Sequence, residues 1–111
     1  MKKTNPSFLN GVPELLVLRL LSGREMYGYQ IVEEIRIQSR DAFAFGEGCI
    51  YPYLHHLEAE KCVSSRRQEV DGRSRNYYRL TSRGQKRLAE LGSEWRRVAA
   101  GVALLMGEQY A

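Results

Sequence analysis

The pair Asp71-Gly72 constrains this chain most, because it lies between two strand-like runs, CVSSRRQ and NYYRL, in a sequence whose other patterned segments are helical. Asp-Gly readily supplies the left-handed backbone that the tight turns of β-hairpins need. A hairpin joined through EVDGRSR follows, with Arg73 and Arg75 at its tip and Arg66 and Arg67 in its first arm. Side chains alternate along a strand, so Tyr78 and Leu80 share one face and Tyr77 and Arg79 the other. Leu80 is the last apolar residue before the next helical pattern, which assigns its face to the core and turns Tyr77 outward. An aromatic that seals the base of the hairpin is the other reading of Tyr77.

Helical segments precede the hairpin. In VPELLVLRLLSG, Pro13 suits a first turn, and Leu15, Leu16, Leu18, Leu20 and Leu21 cover most of the circumference before Gly23 closes the helix. A short helix this apolar is surrounded by other elements. YGYQIVEEIRIQSR puts Gly28, Ile31, Val32 and Ile35 on one stripe and Glu33, Glu34 and Arg36 mostly off it, an amphipathic helix that packs on the first. DAFAFGEG then predicts a short extended piece leading into a turn.

The next segment, GCIYPYLHHLEAEKC, crowds two cysteines and two histidines as a metal site would. Its apolar residues decide otherwise: Ile50, Leu54 and Leu57 recur at helical spacing, and with Gly48 as cap, Pro52 falls in the first turn, where a missing N–H loses no intrahelical partner. On that helix Cys49 and His55 stand about 240° apart and His55 and His56 about 100° apart. They do not converge on one ion, and no short zinc spacing such as C-x2-C is present. No metal and no cofactor is expected, a site shared by two subunits being the alternative.

The last element is the longest. Thr81 suits an N-cap, and Leu88, Leu91, Trp95, Val98, Val102 and Leu105 follow at gaps alternating between three and four, an a/d heptad seam. A small domain can cover the first turns of such a helix, but a seam that reaches Leu105 calls for a partner, most economically the same helix of a second copy. A helix folded back over its own domain is the alternative. At 111 residues the chain reads as a single domain, with a DNA-binding region over 1–87 and a dimerisation helix over 81–111.

Charge narrows the function. Between Ser64 and Arg87 eight basic residues stand against Glu69 and Asp71, a local +6 in a chain of net +4, so the remainder is slightly acidic. Such a block is the footprint of a face for a polyanion, nucleic acid first, although a solvated surface or a dock for an acidic protein has the same composition. No phosphate loop and no paired carboxylates in a catalytic frame are present, which argues against an enzyme. The opening MKKTNPSFLN has no apolar run behind its basic start, and LLVLRLLS is too short for a bilayer, so the expectation is a cytoplasmic protein with Cys49 and Cys62 reduced.

The fold class expected from this order is mainly α with a small β-hairpin wing: a winged helix-turn-helix plus a long C-terminal dimerisation helix. LLVLRLLSGREMYGYQIVEEI, GCIYPYLHHLEAEKCV and GRSRNYYRLTSRGQKRL together resemble the PadR family of bacterial transcriptional regulators, over roughly residues 9–98. The resemblance implies a homodimeric repressor of a promoter that contains an inverted repeat, in the short form without a larger C-terminal domain. Cys49 departs from it, since Ser or Thr is usual there, and so does Pro13, in a helix that relatives run continuously. Double-stranded DNA is then expected at Tyr51, His55, Arg66, Arg67, Arg73, Arg75 and Tyr77, with His56 and Tyr53 as weaker candidates. The resemblance also suggests a pore at Trp95 for a small aromatic effector that alters DNA binding; a tryptophan that fills the dimer core is the other reading. Two rival functions remain on sequence grounds: a metal- or thiol-responsive regulator using Cys49 and Cys62, and a winged-helix protein-interaction module.

Overall fold

The computed structural model describes residues 11–108, so the opening MKKTNPSFLN lies outside the described residues. Four helices and three strands follow in the order α1 (Val12–Gly23), β1 (Met26–Tyr27), α2 (Gly28–Gln38), α3 (Glu47–Ala59), β2 (Val63–Val70), β3 (Arg73–Leu80) and α4 (Ser82–Met106). The strands form one antiparallel sheet in the order β1-β3-β2. This is the winged-helix arrangement expected, with a long helix appended.

The core forms where the helices meet the sheet's inner face. Val17, Leu18, Ile31, Ile50 and Leu54 have no exposed surface, and Met26, Leu57, Val63 and Tyr78 join them. Each fully buried aliphatic side chain contributes about 1.5–3 kcal/mol, so the helical stripe Ile50, Leu54, Leu57 anchors α3 firmly. Val17, unremarked in the leucine pattern of α1, is as deeply buried as Leu18. Pro13 sits in the first turn of α1, which begins at Val12 and runs unbroken to Gly23.

Three expectations are corrected. The cap of α3 is Gly46, not Gly48: its carbonyl accepts from the N–H groups of Cys49 and Ile50, so Glu47 opens the helix, where a carboxylate favours the N-terminal dipole. Pro52 is therefore inside the helix rather than in its first turn; having no N–H, it leaves the usual i−4 bond to Gly48 unmade. Phe43 and Phe45 stack with ring centroids 5.8 Å apart just before α3, which takes up Glu47 and Gly48 of DAFAFGEG. The arms of the hairpin run further than expected, up to a two-residue turn at Asp71 and Gly72, whose φ values of 53° and 76° are both left-handed. Arg73 and Arg75 thus belong to β3.

Thr81 caps α4 as its residue type predicts, its hydroxyl accepting from the Gly84 N–H at 3.0 Å. The 25 residues of α4 extend about 37 Å at 1.5 Å per residue, well past the domain it starts from. Among the described residues no helix is long and apolar enough to cross a membrane.

Candidate nucleic-acid interface

Between the N-terminus of α2, the outer side of α3 and the hairpin runs a groove of about 560 Å³. Tyr51 and His55 of α3 form one wall, Arg73, Ser74, Arg75 and Asn76 of β3 the other, and Tyr27, Gly28 and Tyr29 close its end. Four residues expected to meet DNA, Tyr51, His55, Arg73 and Arg75, are thereby brought together from segments that the sequence separates by some twenty positions. Among the described residues, no carboxylate lines the groove.

The placement of Tyr51 depends on Gly28. A Cβ on Gly28 would lie 2.5 Å from the Tyr51 ring carbon Cε1, so the ring rests directly on glycine backbone. Its hydroxyl donates to the Glu47 carboxylate at 3.1 Å, and burial together with that acid pushes the phenol's pKa up. The Tyr29 phenol is likewise pushed up, chiefly by its hydrogen bond to Glu33. Each hydroxyl thus spends its one proton on a carboxylate and would have to leave that acid to donate to a phosphate oxygen.

Arg66 and Tyr77 lie elsewhere. The register sets Tyr27, Tyr77 and Arg66 side by side across β1, β3 and β2, on the sheet face away from the core. Tyr27 and Tyr77 meet edge to face at 5.5 Å, and the Arg66 guanidinium lies 5.4 Å from the Tyr77 ring centroid. Both nitrogens of the Arg66 fork that face Glu25 donate to its carboxylate, Nε at 3.2 Å. That bond holds the Glu25 carboxyl below its ordinary range. At the other end of the row, Arg75 covers the Tyr27 ring at 4.3 Å and also lines the groove. Arg67 is on the opposite face, its Nε donating to Ser74 Oγ at 2.7 Å.

Tyr29 and Asn76 were missed as groove residues. Tyr29 is half exposed, and as the second residue of α2 it could have been found by asking which side chains flank a helix start beside α3. Asn76 is an amide able to read an adenine edge, supplied by the wing rather than by α3. The weaker candidates separate: Tyr53 is half-buried, while His56 faces Glu60 at 3.9 Å on the side of α3 toward α4, away from the groove.

The heptad seam divides in two. Leu88 and Leu91 pack against the domain's own core, whereas Trp95, Val98, Val102 and Leu105 are 45, 47, 55 and 93% exposed. Leu104 and Met106 widen this apolar face. Cys49 is partly exposed and Cys62 buried, both as free thiols. Burial pushes the Cys49 thiol up, away from the reactive thiolate. Among the described residues, no three of His, Cys, Asp and Glu are grouped so as to hold a metal ion.

Residues 17–90 match the model of the transcriptional regulator PadR-like family. A protein of Lysinibacillus sphaericus is 33% identical over 99 residues, covering 88% of this chain and 91% of its own length. A transcriptional regulator of Mycobacterium tuberculosis is 34% identical over 83 residues, 75% of each chain. Among solved structures, a transcriptional regulator from Clostridium thermocellum superposes with a TM-score of 0.82 at 26% identity, over 89% of this chain and 94% of that one. A PadR-like transcriptional regulator from Bacillus cereus gives 0.80 at 29% identity, over 93% and 99%.

Proposed function

The chain belongs to the PadR-like family of transcriptional regulators, and on that footing we propose that it is a homodimeric repressor that binds an inverted repeat in double-stranded DNA. The observation that carries this reading is the groove in which Arg73 and Arg75 oppose Tyr51 and His55 with no carboxylate among its described lining residues. Tyr51 and His55 enter the major groove on α3, where Tyr51 meets a phosphate or a thymine methyl and His55 donates to phosphate or a base acceptor. Arg73 and Arg75, with Arg67 nearby, follow the backbone or the minor groove, and Asn76 adds a base contact from the wing. Arg66 and Tyr77 support the wing from its other side.

The exposed apolar end of α4 supports the dimer, since Val98, Val102 and Leu105 continue the spacing of Leu88 and Leu91 beyond the reach of the domain. A dyad there relates two reading heads, which then take half-sites about one helical turn, or about 10 base pairs, apart or a multiple of that. Such a dimer on a promoter obstructs polymerase. Trp95, 45% exposed within this face, favours a further step in which paired indoles accept a flat aromatic effector. It is the chain's one tryptophan, so its emission reports directly on added planar aromatics; emission unmoved by a panel of them removes the effector from the scheme.

Selection from a random duplex library at moderate salt, with competitor DNA in excess, tests the main reading. An enriched inverted repeat is expected. Arg73→Ala with Arg75→Ala should weaken binding to every duplex and leave the dimer intact. Salt-labile retention without any motif would reduce the basic face to a general polyanion surface and overturn the regulator.

A further inference from the structure

We infer that Glu25, an acid outside the groove, is a positioning residue for nucleic-acid binding: it holds the wing so that Arg75 stays at the groove. The inference rests on the DNA-binding reading and extends it to a residue of the wrong charge for a polyanion.

The hairpin needs such a tie. β1 has only two residues, Met26 and Tyr27, so backbone pairing joins the wing to the domain over a short edge. The rest of the connection on the outer face is made by side chains, in one unbroken series. Glu25, in the segment between α1 and β1, takes the Arg66 guanidinium of β2 across 41 positions of sequence. Arg66 lies on Tyr77, Tyr77 abuts Tyr27 with the ring planes inclined at 72°, and the Tyr27 ring carries Arg75. Two-point hydrogen bonding between guanidinium and carboxylate fixes orientation as well as distance. An arginine held on an aromatic face also loses less freedom when it meets a phosphate than one that swings in water. Release of Arg66 by loss of the carboxylate loosens both the wing and the ring on which Arg75 rests.

Charge alone predicts the opposite effect, which makes the test sharp. Glu25→Gln removes an acid and raises the net charge from +4, so a purely electrostatic surface would bind duplex DNA more tightly. The positioning role predicts binding weakened about threefold to tenfold, the scale of one surface ion pair and one cation–π contact per subunit. Fluorescence anisotropy with the selected duplex across a salt series gives both affinity and slope. The slope should flatten by about 0.9 for each phosphate that is no longer neutralised. Arg66→Ala should reproduce the loss, the double variant should add little to either, and Glu25→Asp should recover part of it. Glu25→Gln binding as tightly as the parent, or tighter, on an unchanged slope overturns the inference.

NMR of the free protein separates this failure from failure of the DNA reading. The Arg75 δ-methylene protons, shielded by the Tyr27 ring, should shift toward their unshielded position in Glu25→Gln. Should the parent bind no duplex, that shift still establishes the positioning role and only the partner is wrong. Protons that stay in place refute the positioning role whatever the protein binds.

Discussion

Gly84→Ala should be costly for a reason that lies entirely in where α4 begins. A Cβ at Gly84 would stand 2.0 Å from the Cys62 carbonyl oxygen and 2.7 Å from Leu80 Cδ1. Carbon and oxygen in contact settle at about 3.3 Å, so helix and strand must part by roughly 1.3 Å. The Cys62 carbonyl accepts the Thr81 N–H at 3.1 Å, and the Thr81 hydroxyl lies 2.9 Å from it and 2.7 Å from the Lys61 carbonyl. Parting stretches these bonds beyond useful length, a loss of about 1 kcal/mol for each. Forced overpacking adds about 1–3 kcal/mol, and the better helix propensity of alanine returns about 1 kcal/mol. The Thr81 hydroxyl has one proton to share between its two carbonyls, so two bonds are lost and the net loss is about 2–4 kcal/mol, or roughly 10–25 °C in Tm for a domain of this size. Thermal unfolding followed by far-ultraviolet circular dichroism, at one fixed protein concentration, measures it. Gly23→Ala is the control, because nothing lies within 4 Å of its added Cβ. If Gly84→Ala unfolds within about 0.5 kcal/mol of the parent, a range usual for surface changes, the reasoning from this close approach is refuted.

Gly28→Ala should behave differently, for its Cβ meets a movable ring instead of backbone. Stability should change by less than about 1 kcal/mol, helix propensity offsetting the contact, while duplex affinity falls as Tyr51 is displaced; unchanged affinity by anisotropy would remove Tyr51 from the reading head. Val102→Glu puts a charge in the exposed apolar face of α4 and should convert the proposed dimer to monomer in sedimentation velocity, with the helical signal kept because Leu88 and Leu91 still pack on the core. A variant that sediments as the parent does would refute an interface on this face. The Glu25 and Glu33 carboxyls are held below their usual 4.5, chiefly by hydrogen bonds from Arg66 and Arg36. A lowered folded pKa contributes stability above the unfolded value, and that contribution is lost as pH falls through 4.5 toward the folded values. Glu25→Gln with Glu33→Gln should flatten this acid limb in denaturation measured from pH 6 to 3; an unaltered limb would show that the pairs do not act.

Much of this architecture was legible because its determinants are local. Ile50, Leu54 and Leu57 at helical spacing, Asp71-Gly72 between alternating runs, and Thr81 before a helix each act within a few residues, and each sits where its chemistry directs. What escaped depends on distant partners. Two residues such as Met26 and Tyr27 carry no strand pattern of their own and pair only because β3 passes beside them. The Glu25–Arg66 pair joins segments that no periodicity relates. Pro52 was misplaced because a helix's cap depends on which carbonyl meets the first free N–H groups, and Gly46 and Gly48 are equally suitable by residue type. The faces of the wing were half legible: a two-residue turn pairs Val70 with Arg73 and so Arg66 with Tyr77, but nothing in the chain's order says that Arg66 is already engaged.

The tight turn at Asp71-Gly72 makes the length of the wing a stepped quantity. Inserting one residue in each arm between the Tyr27–Tyr77–Arg66 row and the turn would preserve strand pairing, yet it would reverse the side of every residue beyond it, parting Arg75 from the Tyr27 ring and moving Arg73 and Arg75 to the face that Ser74 and Asn76 now hold. Inserting two in each arm restores their side and lengthens the wing by about 7 Å. Variants of this scaffold with altered reach are therefore available only in increments of two residue pairs, roughly the rise of two base pairs along a duplex.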